Sequence, residues 1–286
     1  MSPRSISRWR PGSRAGRGGA TDPTSFLFIT LDSCRYDTFV AADAPNLKAV
    51  GETHRALAPA AFTYASHAAM FVGFTPWVPE RVEPFLNPKL AKIFKMAGAG
   101  FPGNGREWVS LSGRNVVDGF RRRGYATIGT GAVDWFDTST PTGRLLTSDF
   151  DTFYFAGPAG IAAQVAFVEE QLARRAQPAF VFLNVGETHV PYHFAGAAWE
   201  RRNPCVPFGE HNDAEACRVR QRACLEHVDR ALGPLLERFA AASTLVCADH
   251  GDAWGEDGVW EHGLPHPKVL EVPLLLRLGT PPEGPA

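Results

Sequence analysis

Apolar residues gather into five short, uninterrupted runs, at positions 26–31, 125–130, 179–184, 244–248 and 272–277. The runs are continuous rather than alternating and rich in Val, Ile, Phe and Leu, the pattern of strands covered on both faces. Between them the period lengthens. Residues 159–176 place Ile161, Val165, Val168 and Leu172 on one helical face, with Glu169, Glu170, Arg174 and Arg175 toward solvent. Positions 214–242 continue through Val219, Cys224, Val228, Leu232, Leu235 and Leu236, and the Gly233-Pro234 pair predicts a kink or a break into two helices. Strands alternating with helices predict an α/β fold of three layers, αβα, around a mostly parallel central sheet. The stretches 74–111 and 199–212 carry proline and glycine and predict loop-rich surface structure.

Composition narrows this picture without redirecting it. A chain of 286 residues, 44% apolar and 21% charged, suffices for one α/β domain. A net charge of −1 argues against nucleic acid or an anionic membrane as the main partner. Residues 1–25 carry Arg4, Arg8, Arg10, Arg14 and Arg17 among Ser, Gly and Pro, which predicts a disordered basic tail before a single catalytic domain over 26–286. Trp9 is the only large apolar residue between Ile6 and Phe26, so no secretory core is visible there, and no apolar run reaches membrane-spanning length. The expected location is cytoplasmic. Five cysteines, with no CxxC pair, agree with a reducing compartment, and Cys34 and Cys247 beside apolar runs read as buried hydrophobes.

Polar, metal-competent residues stand directly beyond three of the strands. Run 26–31 ends in Asp32, run 179–184 leads to Glu187-Thr188-His189, and run 244–248 leads to Asp249-His250-Gly251-Asp252. Open α/β sheets bind ligands beyond the carboxyl ends of their strands, so three strands deliver candidate ligands to one edge. A carboxylate next to an imidazole suits zinc or manganese, and Gly251 permits the turn that lets both reach one ion. Thr63 precedes a small-residue stretch, 68–73, that reads as helical. Thr63 and Ser66 are either helix caps or, for Thr63 beside a cation, an activated nucleophile.

In order, the segments FITLDSCRYD (28–37), TYASHAAMFVGFTP (63–76), ETHVPY (187–192), ADHGD (248–252) and EHGLPHPKVLEVP (261–273) resemble the alkaline phosphatase superfamily, within it the sulfatase-like branch. The resemblance implies an alkaline-phosphatase-like fold, Thr63 as nucleophile, and Asp32, Thr63, Asp249 and His250 as metal ligands. It places His189 and His262 against the substrate, with His262 able to complete a second metal site instead. One divalent ion is favoured, zinc or manganese ahead of magnesium or calcium. For a second ion, Glu187, His189, His193, His262 and His266 are the available ligands.

Departures from the pattern separate the substrates. Formylglycine sulfatases resemble Cys-x-Pro-Ser-Arg where this chain has Thr63-Tyr64-Ala65-Ser66-His67. Without the cysteine no aldehyde hydrate forms, and phosphate esters become the expected small-molecule substrate. Ser33 stands where those sulfatases often carry a second aspartate. The expected activity is therefore phosphoric ester hydrolysis or transfer through a phospho-enzyme; Arg35 and Lys268 are available to add charge stabilisation, though exposed Lys and Arg are usually solvated surface residues. The alternatives are a sulfatase or phosphonate hydrolase on the same scaffold, and a silent binding protein that retains it.

Overall fold

The computed structural model describes residues 21–22, 24–73 and 114–279. Most of the basic tail and the whole 74–111 stretch lie outside the described residues. The strands are β1 (Phe26–Leu31), β2 (His54–Leu57), β3 (Ala126–Gly131), β4 (Thr152–Phe155), β5 (Ala179–Val185), β6 (Ser243–Ala248), β7 (Ala253–Trp254), β8 (Trp260–Glu261) and β9 (Glu271–Arg277). The helices are α1 (Tyr36–Ala41), α2 (Pro45–Lys48), α3 (Thr63–Val72), α4 (Val116–Arg122), α5 (Pro141–Thr147), α6 (Ile161–Ala173), α7 (Ala214–Arg238) and α8 (Pro267–Leu270).

Seven strands form one sheet in the order β2-β9-β6-β1-β5-β3-β4. It is parallel except for β9, which runs antiparallel to both β6 and β2. Strand β1 lies in the middle, and its period-two alternation feeds two cores. Leu27, Ile29 and Leu31 pack under α1, α2, α6 and α7 with Phe39, Leu47, Val168 and Val228. Phe28 packs on the opposite face with Phe180, Phe182 and Phe71 of α3. Both faces of the sheet are thus covered, which is why the strands read as continuous apolar runs. No described helix is long and apolar enough to cross a membrane.

Some expectations change. Helix α7 does not break at Gly233-Pro234: Pro234 lies inside it, near the end, where one lost backbone bond is offset by buried Leu232, Leu235 and Leu236. Val219 is exposed, and Cys217 and Gln221 take its place on the buried face. The last tail residues are anchored, since Thr21 N–H donates to the Arg238 carbonyl at 3.1 Å and buried Ser25 accepts from Ala179 N–H at 3.0 Å. Residues 199–212 hold turns and bends, as predicted. All five cysteines are buried free thiols.

Register places the site. Leu31 at the end of β1 pairs with Val185 of β5 on one side and with Ala248 of β6 on the other. Asp32, Gly186 and Asp249, each one residue past its strand, therefore emerge side by side.

Candidate metal centre and active site

Helix α3 begins at Thr63, after Phe62 in an extended conformation, and ends at Gly73 in the left-handed region (φ 71°). Its whole first turn is buried against the sheet. That seats the Thr63 hydroxyl 3.4 Å from each carboxylate oxygen of Asp32 and 3.2 Å from Nε2 of His250. One turn on, His67 is also buried. Its Nδ1–H donates to the Thr63 carbonyl at 2.8 Å and its Nε2 accepts from the Thr30 hydroxyl at 2.9 Å. Burial holds this ring neutral, its pKa pushed down to about 4.

Asp249, Asp32 and His250 are buried and offer ligand atoms that lie within 4.8 Å of one another. Nδ1–H of His250 donates to the Gly251 carbonyl at 3.0 Å, which leaves the Nε2 lone pair facing Asp32, Asp249 and Thr63. Burial, then the nearby charge of His262, lowers its pKa to about 3, so the ring is the neutral form that binds metals. Oδ1 of Asp249 accepts from Ser33 N–H at 3.2 Å and from His250 N–H at 3.0 Å. Its Oδ2 is buried and makes no hydrogen bond. Burial, then the charge of Asp32, raises the Asp249 carboxyl well above its ordinary range. Two adjacent carboxylates, one left unsatisfied, and a neutral imidazole fit a divalent cation with mixed oxygen and nitrogen ligands. Asn184 orients the set by donating to Oδ2 of Asp32 at 3.0 Å, and Thr188 donates to the Asp32 carbonyl at 2.7 Å.

Two more histidines stand at the mouth. His189 donates through Nδ1 to the Val190 carbonyl at 2.8 Å, and its Nε2 lies 4.0 Å from Oδ1 of Asp32. His262 lies with its ring centroid 5.1 Å from that of His189 and 4.3 Å from that of His250. Oδ1 of Asp252 accepts from its Nδ1 at 2.6 Å. Burial opposes both charges, but the pair outweighs it: Asp252 is held below and His262 above its ordinary value.

No protein-family model matches the chain, and no curated sequence does. Solved structures do. A protein of the alkaline phosphatase superfamily from Vibrio parahaemolyticus superposes with a TM-score of 0.53 at 15% identity, covering 92% of this chain and 61% of that one. Phosphonate monoester hydrolase of Agrobacterium radiobacter gives a TM-score of 0.60 at 15% identity, covering 89% and 68%. The C-terminal periplasmic domain of phosphoethanolamine transferase EptC from Campylobacter jejuni gives 0.58 at 14%, covering 90% and 80%. The fold is that of the alkaline phosphatase superfamily.

Within this alkaline-phosphatase-like fold, the six residues singled out from sequence, Asp32, Thr63, His189, Asp249, His250 and His262, lie at one edge of the sheet. Other candidates are engaged elsewhere. Arg35 and Lys268 are spent on other partners: Arg35 is buried on the Trp254 ring at 4.0 Å, pairs with Asp37 and Glu256 and donates to the Asp252 carbonyl at 3.3 Å, and Lys268 pairs with Asp37 at 2.8 Å. Among the described residues, Glu187, His193 and His266 join no group of metal-competent atoms. Glu187 turns away to accept Ile161 N–H at the start of α6, and His266 caps α8 by accepting Lys268 N–H. Gly251 is required by space, not by φ, because a Cβ there would sit 2.4 Å from the Lys268 carbonyl oxygen. Sequence reasoning counted Asp252 only among the polar residues beyond the strand and left His67 without a role. Each had a signal: a carboxylate two residues beyond the Asp-His pair, and an imidazole one helical turn from the nucleophile.

Proposed function

We propose that the chain is a metal-dependent hydrolase or transferase of phosphate esters, with Thr63 as nucleophile and a phosphothreonine intermediate. The observation that carries this reading is the Thr63 hydroxyl, seated between Asp32 and His250 beside the unsatisfied Oδ2 of Asp249. Asp32, Asp249, His250 and the Thr63 oxygen would hold zinc or manganese, which when bound supplies Lewis acidity and an acidified threonine hydroxyl.

The chain's own residues do the rest. Asp32 holds the Thr63 proton within hydrogen-bonding range of both its oxygens. The Thr63 oxygen attacks phosphorus, the ester P–O bond breaks, and the alcohol departs with the proton that Thr63 gave up. Water, or an acceptor alcohol, then attacks phosphorus; the Thr63 oxygen leaves and regains a proton. His189 and His262 hydrogen-bond the equatorial oxygens while charge accumulates there. Phosphorus is favoured over sulfur by threonine at position 63, and by neighbours named for phosphoethanolamine transfer and phosphonate monoester hydrolysis.

The test is turnover of 4-nitrophenyl phosphate, bis(4-nitrophenyl) phosphate, 4-nitrophenyl phenylphosphonate and 4-nitrophenyl sulfate by zinc- or manganese-loaded protein. Phosphate-ester turnover should dominate, with a phosphoryl group mapped to Thr63 after acid quench. Dominant sulfatase turnover, or a phospho-enzyme at any other residue, overturns the assignment.

A further inference from the structure

The second group of metal-competent atoms, His250, Asp252 and His262, differs from the first in one physical respect. Its atoms are already committed. Oδ1 of Asp252 holds His262 Nδ1–H at 2.6 Å, and Oδ2 accepts the Tyr192 hydroxyl at 2.7 Å. The Tyr192 oxygen in turn accepts Trp254 Nε1–H at 2.9 Å, so its proton is directed to Asp252. His250 spends Nδ1 on Gly251 and turns Nε2 to the first group. A cation in the second group would have to displace bonds that are short, buried and mutually consistent, whereas Oδ2 of Asp249 has no bond to lose.

The backbone around this chain of bonds is equally fixed. Tyr192 is fully buried and stands edge-on to Trp254, with ring centroids 6.1 Å apart. Cys205 lies beneath, its sulfur accepting Glu261 N–H at 3.2 Å and thereby holding the residue before His262. With Nδ1 bound to Asp252, Nε2 is the His262 nitrogen left for a ligand beside His189 and His250.

We infer that Tyr192 and Asp252 are positioning residues, a buried Tyr192–Asp252–His262 relay that aims Nε2–H of His262 at a phosphoryl oxygen, and that Asp252 and His262 are not ligands of a second cation. The inference rests on the phosphate-ester reading of the site and assigns the centre a single ion. Tyr192→Phe removes the hydroxyl and keeps the ring, so it loosens the relay without opening the core.

The test measures zinc stoichiometry by elemental analysis, inorganic phosphate binding to the zinc-loaded protein by calorimetry, and the ¹⁵N–¹H spectrum of the His262 ring. One zinc per chain is expected in the wild type, Tyr192→Phe and Asp252→Asn. Phosphate affinity should fall about threefold in Tyr192→Phe, which loosens the relay one bond away from His262, and about tenfold or more in Asp252→Asn, which removes the charged partner of His262 itself. An Asp252→Asn chain that does not fold leaves the decision to Tyr192→Phe. A second zinc that disappears with Asp252→Asn, or wild-type phosphate affinity in the folded variants, overturns the relay. Should the wild type bind no phosphate, the phosphate-ester reading fails separately. The relay is then judged on the His262 Nδ1–H resonance, which must move in Tyr192→Phe and refutes it by staying put.

Discussion

The Thr63 hydroxyl lies 3.2 Å from Nε2 of His250, across a sequence separation of 187 residues. Thr63 opens a helix and His250 comes just after a strand, so the contact exists only because α3 and β6 are both packed against β1. Thr63→Ala should lower phosphate-ester turnover by at least about a thousandfold, the scale of removing a covalent nucleophile. It should also abolish the acid-stable phospho-enzyme, while Thr63→Ser retains both. An alanine variant that still accumulates phospho-enzyme contradicts the assignment.

Metal removal should cost stability as well as activity. The centre crowds two carboxylates with one oxygen unsatisfied, so a cation that binds only the folded state stabilises it by about 2.7 kcal/mol at a hundredfold excess over Kd. Calorimetric melting with and without chelator should show a higher Tm for the zinc-loaded protein. In the chelated state Asp249→Asn should melt above the wild type, because it removes the buried charge. The order reverses with zinc present.

Glu187 offers a pH test away from the ion. It is buried, Oε1 accepts Ile161 N–H, and Oε2 has no hydrogen bond. Burial outweighs its backbone bonds and raises its pKa above the ordinary 4.5. The folded state then holds a proton that the unfolded state releases, so this stabilisation is complete below pH 4.5 and drains away as pH rises through the raised value. Glu187→Gln should remove that decline. Its Tm at neutral pH should exceed the wild type's by about 2–4 °C for each kcal/mol recovered. A steeper decline in the variant would contradict the sign.

Arg35 is structural, and its loss should be felt in unfolding rather than in chemistry. It is buried between Asp37, Glu256 and the Trp254 ring. Arg35→Met should destabilise by roughly 1–3 kcal/mol in urea titration, since charged hydrogen bonds to Asp37 and Glu256 are lost while both carboxylates stay partly solvated. Arg35→Lys should recover little, because an ammonium lacks the planar fork that meets both acids and stacks on indole. Variants folded at low temperature should keep the wild-type KM.

The sheet and one half of the site were legible in the sequence for the same reason. Strands β1, β5 and β6 are buried on both faces, so their apolar runs are uninterrupted and the first polar residue beyond each stands out: Asp32 and Asp249 above all. Strand β2 was invisible because it is a four-residue edge strand with mostly exposed side chains, and β4 is half-buried throughout. Glu187 shows the limit of reading strand ends. It has the right residue type in the right place, yet its side chain serves α6. Arg35 and Lys268 could not be placed from sequence, since charge near a motif does not reveal which acids will claim it. Val219 fell on the wrong side of α7 because polar Gln221 turns inward, donating to the Ser33 and Thr188 carbonyls.

The middle position of β1 has a consequence for biosynthesis. Its two neighbours, β5 and β6, begin at Ala179 and Ser243, so a chain leaving the ribosome carries β1 with both hydrogen-bonding edges bare until β5 has emerged. Asp32 and Thr63 appear about 190 residues or more before Asp249 and His250. A product truncated before β5 therefore holds half a ligand set and an unpaired central strand, a species for chaperones or proteases rather than a slow enzyme.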